Sequence, residues 1–316
     1  MRNKKRILLV AVSLIATVLI LAAIYREFNR RVKETASAVT YTPVVEDKTI
    51  TNDDIIYKPD SQVRSYLFLG VDDAGLDYDS FGHGGRTDTI LLLIKRNDEL
   101  RILEISRDTM TEVDTYNTAG DYLSTGVMQI NMQYAYGDSP RRSIYLTKKT
   151  VSNLLGGIKI DGAIALYMSG ISTVIDTIGG IDVHMEEDCS YIDPEYTQGS
   201  VIHMDGNAAE RFVRWRDSTE TGSNDARMSR HTWFVRQMLS QTGSGSISVL
   251  LDVADPYLKT DMTAEEIRAL YDCQLAETIR LPGETRQGDL HDEFYIDEDG
   301  LQAILLKYFY IPAGTE

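Results

Sequence analysis

Tyr66-Leu67-Phe68-Leu69-Gly70-Val71, closed by Asp72-Asp73, is a short apolar run rich in strand-forming residues. Thr89 to Ile94 is a second such run and Leu100 to Ile105 a third, with the turn pair Asn97-Asp98 between them. That pair makes the last two a β-hairpin. None of the three runs alternates apolar with polar residues, the pattern of strands covered on both faces. Helical spacing takes over downstream. Asp138-Ser139-Pro140 offers a cap with Pro at the first helical position, opening a helix to about Leu155 that Gly156-Gly157 stops. Ile160 to Met168 reads as a strand, Ile171 to Ile178 as a helix ended by Gly179-Gly180, and Ile181 to Met185 as a strand. Asp205 caps a helix through about Arg214, and residues 226–240 form an amphipathic one. Thr263 with Glu266 is a capping box, Leu290 to Ile296 a strand, and Asp297 the cap of a last helix to about Tyr308. Strands and helices interleave to the end. The expectation is an α/β fold: a single three-layer α/β/α domain over about residues 63–312, with a central mixed sheet flanked by helices.

Upstream, Ile7 to Ile24 contains no charged residue. As a helix it reaches about 27 Å, the thickness of a bilayer core. Arg2, Lys4, Lys5 and Arg6 precede it, but Arg26, Arg30, Arg31 and Lys33 follow, so the charge rule alone does not orient it. Ala36-Ser37-Ala38 has the form of a cleavage site, yet lies well past the apolar run, beyond a dense charge cluster. The expected layout is a cytoplasmic tail at 1–6, an uncleaved transmembrane signal-anchor at 7–24, a stalk or ordered lead-in at 25–62, and a large domain outside the cell.

Charge partitions with this layout. Residues 1–35 carry eight Lys/Arg and two Glu, a net of +6, and the whole chain carries −16, which leaves −22 for the rest. So acidic a domain offers no basic stripe for nucleic acid. A tight group of arginines within it is correspondingly informative. Cys189 and Cys273 are far apart without CxxC or Cys/His spacing, which argues against zinc. Whether they pair is open. No Walker A loop, G-x-G-x-x-G, H-E-x-x-H or G-x-S-x-G elbow is present.

What remains is polar residues at strand ends. Asp72-Asp73 follow the first strand, Arg86-Thr87-Asp88 opens the second after Gly82, Gly84 and Gly85, and Ser106-Arg107-Asp108 ends the third. The hairpin brings Arg86, Asp88, Arg107 and Asp108 together, and Asp72 joins them if the first strand ends at the same edge. Two carboxylates suit Mg²⁺, and the planar arginine fork suits a phosphate. Ion pairs of purely structural value are the competing reading. Farther on, Arg211, Arg214 and Arg216 close one helix, while Arg227 and Arg230 occupy the first turns of the next, where the helix dipole disfavours cations. A bound polyanion relieves that conflict; a solvated basic face is the alternative.

Phe68-Leu69-Gly70-Val71-Asp72, Arg86-Thr87-Asp88-Thr89-Ile90 and Ile105-Ser106-Arg107-Asp108-Thr109 resemble the LytR–CpsA–Psr family of cell-envelope proteins. So do Ile130-Asn131 with Tyr134-Ala135-Tyr136-Gly137, Ile178-Gly179-Gly180-Ile181-Asp182-Val183, and Val213-Arg214-Trp215-Arg216 followed by Ala226-Arg227, in family order. The resemblance implies a phosphotransferase that moves a glycopolymer, such as teichoic acid or capsule, from a polyprenyl-pyrophosphate carrier onto peptidoglycan of a Gram-positive wall. Carried over by motif, Asp72 and Asp88 hold Mg²⁺ (or Mn²⁺), and Arg86, Arg107, Arg214, Arg216 and Arg227 grip the pyrophosphate. Asp108 or Asp225 is the candidate base, with Arg86 and Arg107 beside it. The sequence departs from the family's pattern at Ala74, at Asn224 in place of Asp, and at His231 in place of Gln. A phosphatase acting on the same carrier and a non-catalytic binder of lipid-linked precursor are the other two readings.

Overall fold

The computed structural model describes residues 49–72, 85–117, 119–216, 223–243, 247–289 and 291–314. In chain order the strands are β1 (Ile50–Asn52), β2 (Ile55–Pro59), β3 (Val63–Val71), β4 (Thr87–Arg96), β5 (Glu99–Ile105), β6 (Met110–Tyr116), β7 (Tyr122–Gln129), β8 (Gly162–Tyr167), β9 (Ile181–His184), β10 (Val201–Met204), β11 (Leu258–Thr260), β12 (Gln274–Arg280), β13 (Gly283–Gln287), β14 (Asp292–Ile296) and β15 (Tyr310–Pro312). The α-helices are α1 (Pro140–Leu154), α2 (Ile171–Thr177), α3 (Gly206–Arg214), α4 (Ser223–Gln241), α5 (Ile247–Ala254), α6 (Ala264–Tyr271) and α7 (Glu298–Tyr308).

Six strands form a central mixed sheet in the order β11-β8-β3-β4-β5-β12. The three apolar runs are its middle strands. β4 lies antiparallel to both β3 and β5, whereas β8 and β12 pair parallel on the outside. Successive side chains on a strand point to opposite faces. Leu67, Leu69, Ile90 and Leu92 therefore pack under α1 and α7, while Tyr66, Leu91 and Leu93 pack against the helices α2 to α6. This two-sided burial explains the missing alternation, and it gives the expected α/β architecture with a central mixed sheet.

Local chemistry sets the boundaries. Asn97 turns the β4–β5 hairpin with φ 55°. Ser139 caps α1, Asp205 caps α3, Asp297 caps α7, and the Thr263–Glu266 capping box opens α6.

One expectation changes, one open question closes and one hairpin is new. The domain begins upstream of Val63, because β1 pairs with β2 and β2 pairs with β15, setting Tyr57 opposite Pro312. Residues 50–59 thus belong to the fold, not to a stalk. Cys189 and Cys273 are free thiols, so no disulfide joins them. The β6–β7 hairpin was not foreseen as strands. The anchor at 7–24 and the tail at 1–6 lie outside the described residues, among which no helix is long and apolar enough to cross a membrane.

Candidate functional site

The sheet delivers its polar residues to one end. Val71 at the end of β3 faces Thr87 at the start of β4, and the Asp72 N–H donates to the Arg86 carbonyl at 3.0 Å. β5 returns with Ile105 opposite Ile90, which carries Arg107 and Asp108 to the same place. Gly85 permits the approach. Its φ is +76°, and a Cβ there would lie 2.8 Å from both the carbonyl and Oδ1 of Asp72. Asp72 Oδ1 accepts from the Arg86 N–H at 3.0 Å, and its Oδ2 lies 3.9 Å from Arg86 Nε.

Next to this pair is a closed circuit of five side chains. Arg107 donates to one oxygen of Asp88. Arg227 Nη1 donates to the other at 3.2 Å, and Arg227 Nη2 donates to Asn224 Oδ1, also at 3.2 Å. Asn224 Nδ2 donates to Asp108 Oδ2 at 2.7 Å, and Asp108 Oδ1 lies 3.5 Å from Arg107 Nε, which completes the ring. Gln129 Nε2 holds Asp108 Oδ1 from outside at 2.8 Å. The ring ties the ends of β4 and β5 to the first turn of α4, segments more than a hundred residues apart.

Its electrostatics follow from burial. The side chains of Arg107, Asp88, Arg227 and Asp108 are 12%, 10%, 7% and 5% exposed. Desolvation, then the neighbouring guanidinium of Arg227, brings Arg107 down to about 10. Desolvation, then Arg216, brings Arg227 down to about 10. Burial raises Asp108 against the opposing pull of Arg107 and Asn224. Arg86 and Arg216 are felt by both ring arginines and are themselves exposed. Among the described residues Arg86, Arg107, Arg216 and Arg227 gather against Asp72, Asp88 and Asp108, a local surplus of one positive charge, with Asp292 and Arg230 offsetting each other around them. Such a site favours an anion.

A second layer supports the ring. His231, 2% exposed, has Nε2 2.9 Å from the Val213 carbonyl and Nδ1 2.5 Å from Thr89 Oγ1. The carbonyl can only accept, so Nε2 carries the proton and Nδ1 accepts from the Thr89 hydroxyl. Burial first, then Arg227, lowers this imidazole to about 3, so it is neutral. It clasps the residue beside Asp88 to the segment that leads into Arg214. Arg230 is 1% exposed and donates to Tyr191 Oη at 2.9 Å and to the Trp215 carbonyl at 2.7 Å.

Not every expected residue joins. Arg214 pairs with Glu210 at 2.8 Å, one helical turn back, and with it lines a separate groove. Asp225 makes no hydrogen bond or ion pair among the described residues, and its neighbour Asn224 holds the ring instead. Gln129 and the bridging role of His231 were missed. Gln129 had no signal, lying in a segment to which the sequence pattern assigns no element; His231 stood out only as a departure from a family pattern. Asn131 is fully buried, its N–H donates to the Arg107 carbonyl at 3.3 Å, and its amide has no partner among the described residues.

Among the described residues no three Asp, Glu, His or Cys side chains converge on one point. The protein alone therefore does not enclose a metal. Asp72 and Asp88 do flank the turn into β4, and Mg²⁺ is ordinarily held by one or two carboxylates with substrate phosphates and water. Both Asp88 oxygens keep lone pairs beyond their arginine bonds. The donor set fits an ion that arrives with its phosphates.

A family model described as the LytR_cpsA_psr family matches residues 27–307. A Bacillus cereus protein named polyisoprenyl-teichoic acid–peptidoglycan teichoic acid transferase TagU is 25% identical over 329 residues, covering 99% of this chain and 95% of its own. The crystal structure of B. subtilis TagV matches with a TM-score of 0.60 and 22% identity, over 79% of this chain and 98% of that one. A structure of TagT bound to LI-WTA matches with a TM-score of 0.60 and 18% identity, over 84% of this chain and 97% of that one. The ordered motifs, the mixed sheet that gathers them and the family match agree: this chain belongs to the LytR_cpsA_psr family.

Proposed function

We propose that this protein is a membrane-anchored phosphotransferase that moves a glycopolymer from a polyprenyl-pyrophosphate carrier onto peptidoglycan. The observation that carries the reading is the Arg107–Asp88–Arg227–Asn224–Asp108 ring, balanced in itself at two arginines and two aspartates, with exposed Arg86 and Arg216 beside it, in a chain of net charge −16. A pyrophosphate suits such a site, because planar guanidinium forks pair with its oxygens. Exposed Arg86 and Arg216 meet it first, while Arg107 and Arg227, already locked by Asp88, offer fixed guanidinium edges that need no reorganisation.

Phosphoryl transfer asks for positioning and charge neutralisation more than covalent chemistry from the protein. The acceptor hydroxyl oxygen bonds to the sugar-side phosphorus as the bond to the lipid phosphate breaks. Asp72 and Asp88 would hold Mg²⁺, which when bound neutralises charge on the phosphate oxygens. Asp108 is sealed in the ring with both oxygens engaged, so it positions Arg107 and Asn224. Asp225, in the next position of α4 and without a side-chain partner among the described residues, is the candidate to take the hydroxyl proton. An apolar cavity of about 60 Å³ lined by Phe68, Leu93, Leu166, Val235, Leu250 and Leu270 lies between the sheet and helices α4 to α6, and would have to widen to admit a lipid tail. The anchor at 7–24 keeps the domain where that lipid resides, at high effective concentration.

The test is transfer of labelled sugar phosphate from a lipid pyrophosphate to peptidoglycan oligomers with Mg²⁺. Arg107→Ala and Arg227→Ala should each abolish labelling of the glycan. Full transfer in both variants would refute the site.

A further inference from the structure

The row of side chains that β5 turns toward α4 contains one misfit. Leu100 and Ile102 are buried on that face, with Leu91 and Leu93 of β4 in the same core. Glu104 is the next residue in the row, opposite Leu91, and is 4% exposed. A carboxylate there loses its water and needs partners. It has two. Oε1 accepts from Arg280 Nε on β12 at 2.8 Å, and Oε2 accepts from the Thr232 hydroxyl on α4 at 2.5 Å. Arg280 Nη2 goes on to donate to Ser229 Oγ, also on α4, at 2.9 Å. Glu104 and Arg280 therefore grip α4 at two residues about one helical turn apart.

The grip answers a need of the ring. Trp233, Phe234 and Val235 are consecutive on α4 and all buried, so apolar packing covers more than one side of the helix. Such burial is non-directional and does not fix rotation about the helix axis. Rotation matters, because Asn224 and Arg227 must meet Asp108 and Asp88. At about 100° per residue, Ser229 and Thr232 lie on a line about 140° around the helix from that of Asn224 and Arg227. Holds on two such lines fix both the rotation and the height of the helix.

Stability alone does not explain the pair. Apolar residues of similar volume in place of a buried ion pair are often neutral or stabilising. What the pair adds is direction.

We infer that Glu104 is a positioning residue for phosphoryl transfer: with Arg280 it sets α4 at the rotation that delivers Asn224 and Arg227 to the ring. The inference rests on the reading of the ring as a pyrophosphate site.

Two substitutions separate direction from packing. Glu104→Leu completes the apolar row. The Arg280 side chain, 46% exposed, turns to water, and the Thr232 hydroxyl donates to the Met228 carbonyl at 3.0 Å, so no buried group is stranded. Glu104→Gln keeps the grip, because its amide oxygen accepts from Arg280 and its N–H donates to the Thr232 hydroxyl.

The full chain in detergent micelles is titrated calorimetrically with a short polyprenyl pyrophosphate and, separately, unfolded in urea. Glu104→Leu should weaken binding about tenfold or more, the scale of a misplaced group, with the urea midpoint unchanged or higher. Glu104→Gln should bind within about threefold of the unaltered protein. In an Arg227→Ala background the leucine substitution should cost little further, because the guanidinium it delivers is gone. Unfolding reads the same coupling without a ligand: Arg227→Ala should lower the midpoint less in the Glu104→Leu background than in the unaltered protein. Undiminished binding in Glu104→Leu, a loss that only follows a lower midpoint, or the same loss with Arg227→Ala in place overturns the inference. If the unaltered protein binds no lipid pyrophosphate, the ring reading fails and the unfolding comparison decides alone. Equal midpoint losses in the two backgrounds then overturn the positioning role, and a smaller loss with Glu104→Leu upholds it.

Discussion

His231→Leu is the most revealing single substitution. The imidazole is buried, neutral, and spans Thr89 on β4 and Val213 at the end of α3. Leucine fills a similar volume and carries no polar atom, so the Val213 carbonyl and the Thr89 hydroxyl lose their partner in a place water does not reach. Each unpaired buried group costs about 1–3 kcal/mol. The Thr89 hydroxyl can rotate toward another acceptor, so the sum is about 2–4 kcal/mol. His231→Gln supplies one N–H and one carbonyl from a side chain of similar reach, and its cost should stay within about 1 kcal/mol. Urea unfolding of both variants measures the difference through the midpoint at constant slope. The clasp also orders the path into Arg214–Arg216, so turnover should fall in the leucine variant and recover with glutamine. If leucine and glutamine are equally stable, His231 is packing alone and the clasp is wrong.

The same imidazole predicts a pH dependence. In the unfolded chain it takes a proton near 6.5, but in the folded protein not until about 3. Between those values the unfolded state binds more protons, so stability falls as pH falls, by about 2–3 kcal/mol from pH 6 to pH 4. His231→Gln should lack that part of the slope, which denaturation at several pH values reads directly. Arg107→Lys keeps the charge but loses the planar fork that spans Asp88 and Asp108. Transfer should drop about 100-fold or more while the far-ultraviolet spectrum is unchanged. Gln129→Leu strips a donor from Asp108 Oδ1 and should lower stability by about 1–3 kcal/mol in chemical denaturation. Asp72→Asn should raise the Mg²⁺ concentration for half-maximal transfer by about tenfold or more.

The sheet was readable because its middle strands are buried on both faces and so lack polar positions to confuse the pattern. Helix starts were readable because Ser139, Asp205, Thr263 and Asp297 cap through their own backbone neighbourhoods. β7 was not, since Tyr122, Leu123 and Val127 are exposed there and no buried face imposes a period, and β6 buries only Val113 and Tyr116, three residues apart and out of the strand period of two. β1 and β2 depend on pairing with β15 at the opposite end of the chain, a contact no local pattern records. At the site, the hairpin register alone placed Asp88 beside Arg107. That Arg227 shares Asp88 depends on how α4 docks, which is tertiary. Asn224 looked like a defect beside Asp225, yet its amide can both donate and accept, and so joins Asp108 to Arg227. Arg214 stands four residues after Glu210, the spacing of a helical ion pair, and the two side chains meet at 2.8 Å.

The central claim is that the ring grips a pyrophosphate and directs its sugar-side phosphate to a glycan hydroxyl. The direct measurement is mass spectrometry of peptidoglycan oligomers incubated with the full chain, Mg²⁺ and a lipid-pyrophosphate-linked glycan. The account predicts oligomers heavier by one sugar phosphate, and none with Arg107→Ala. Free sugar phosphate with unmodified oligomers would contradict it and leave a hydrolase in its place.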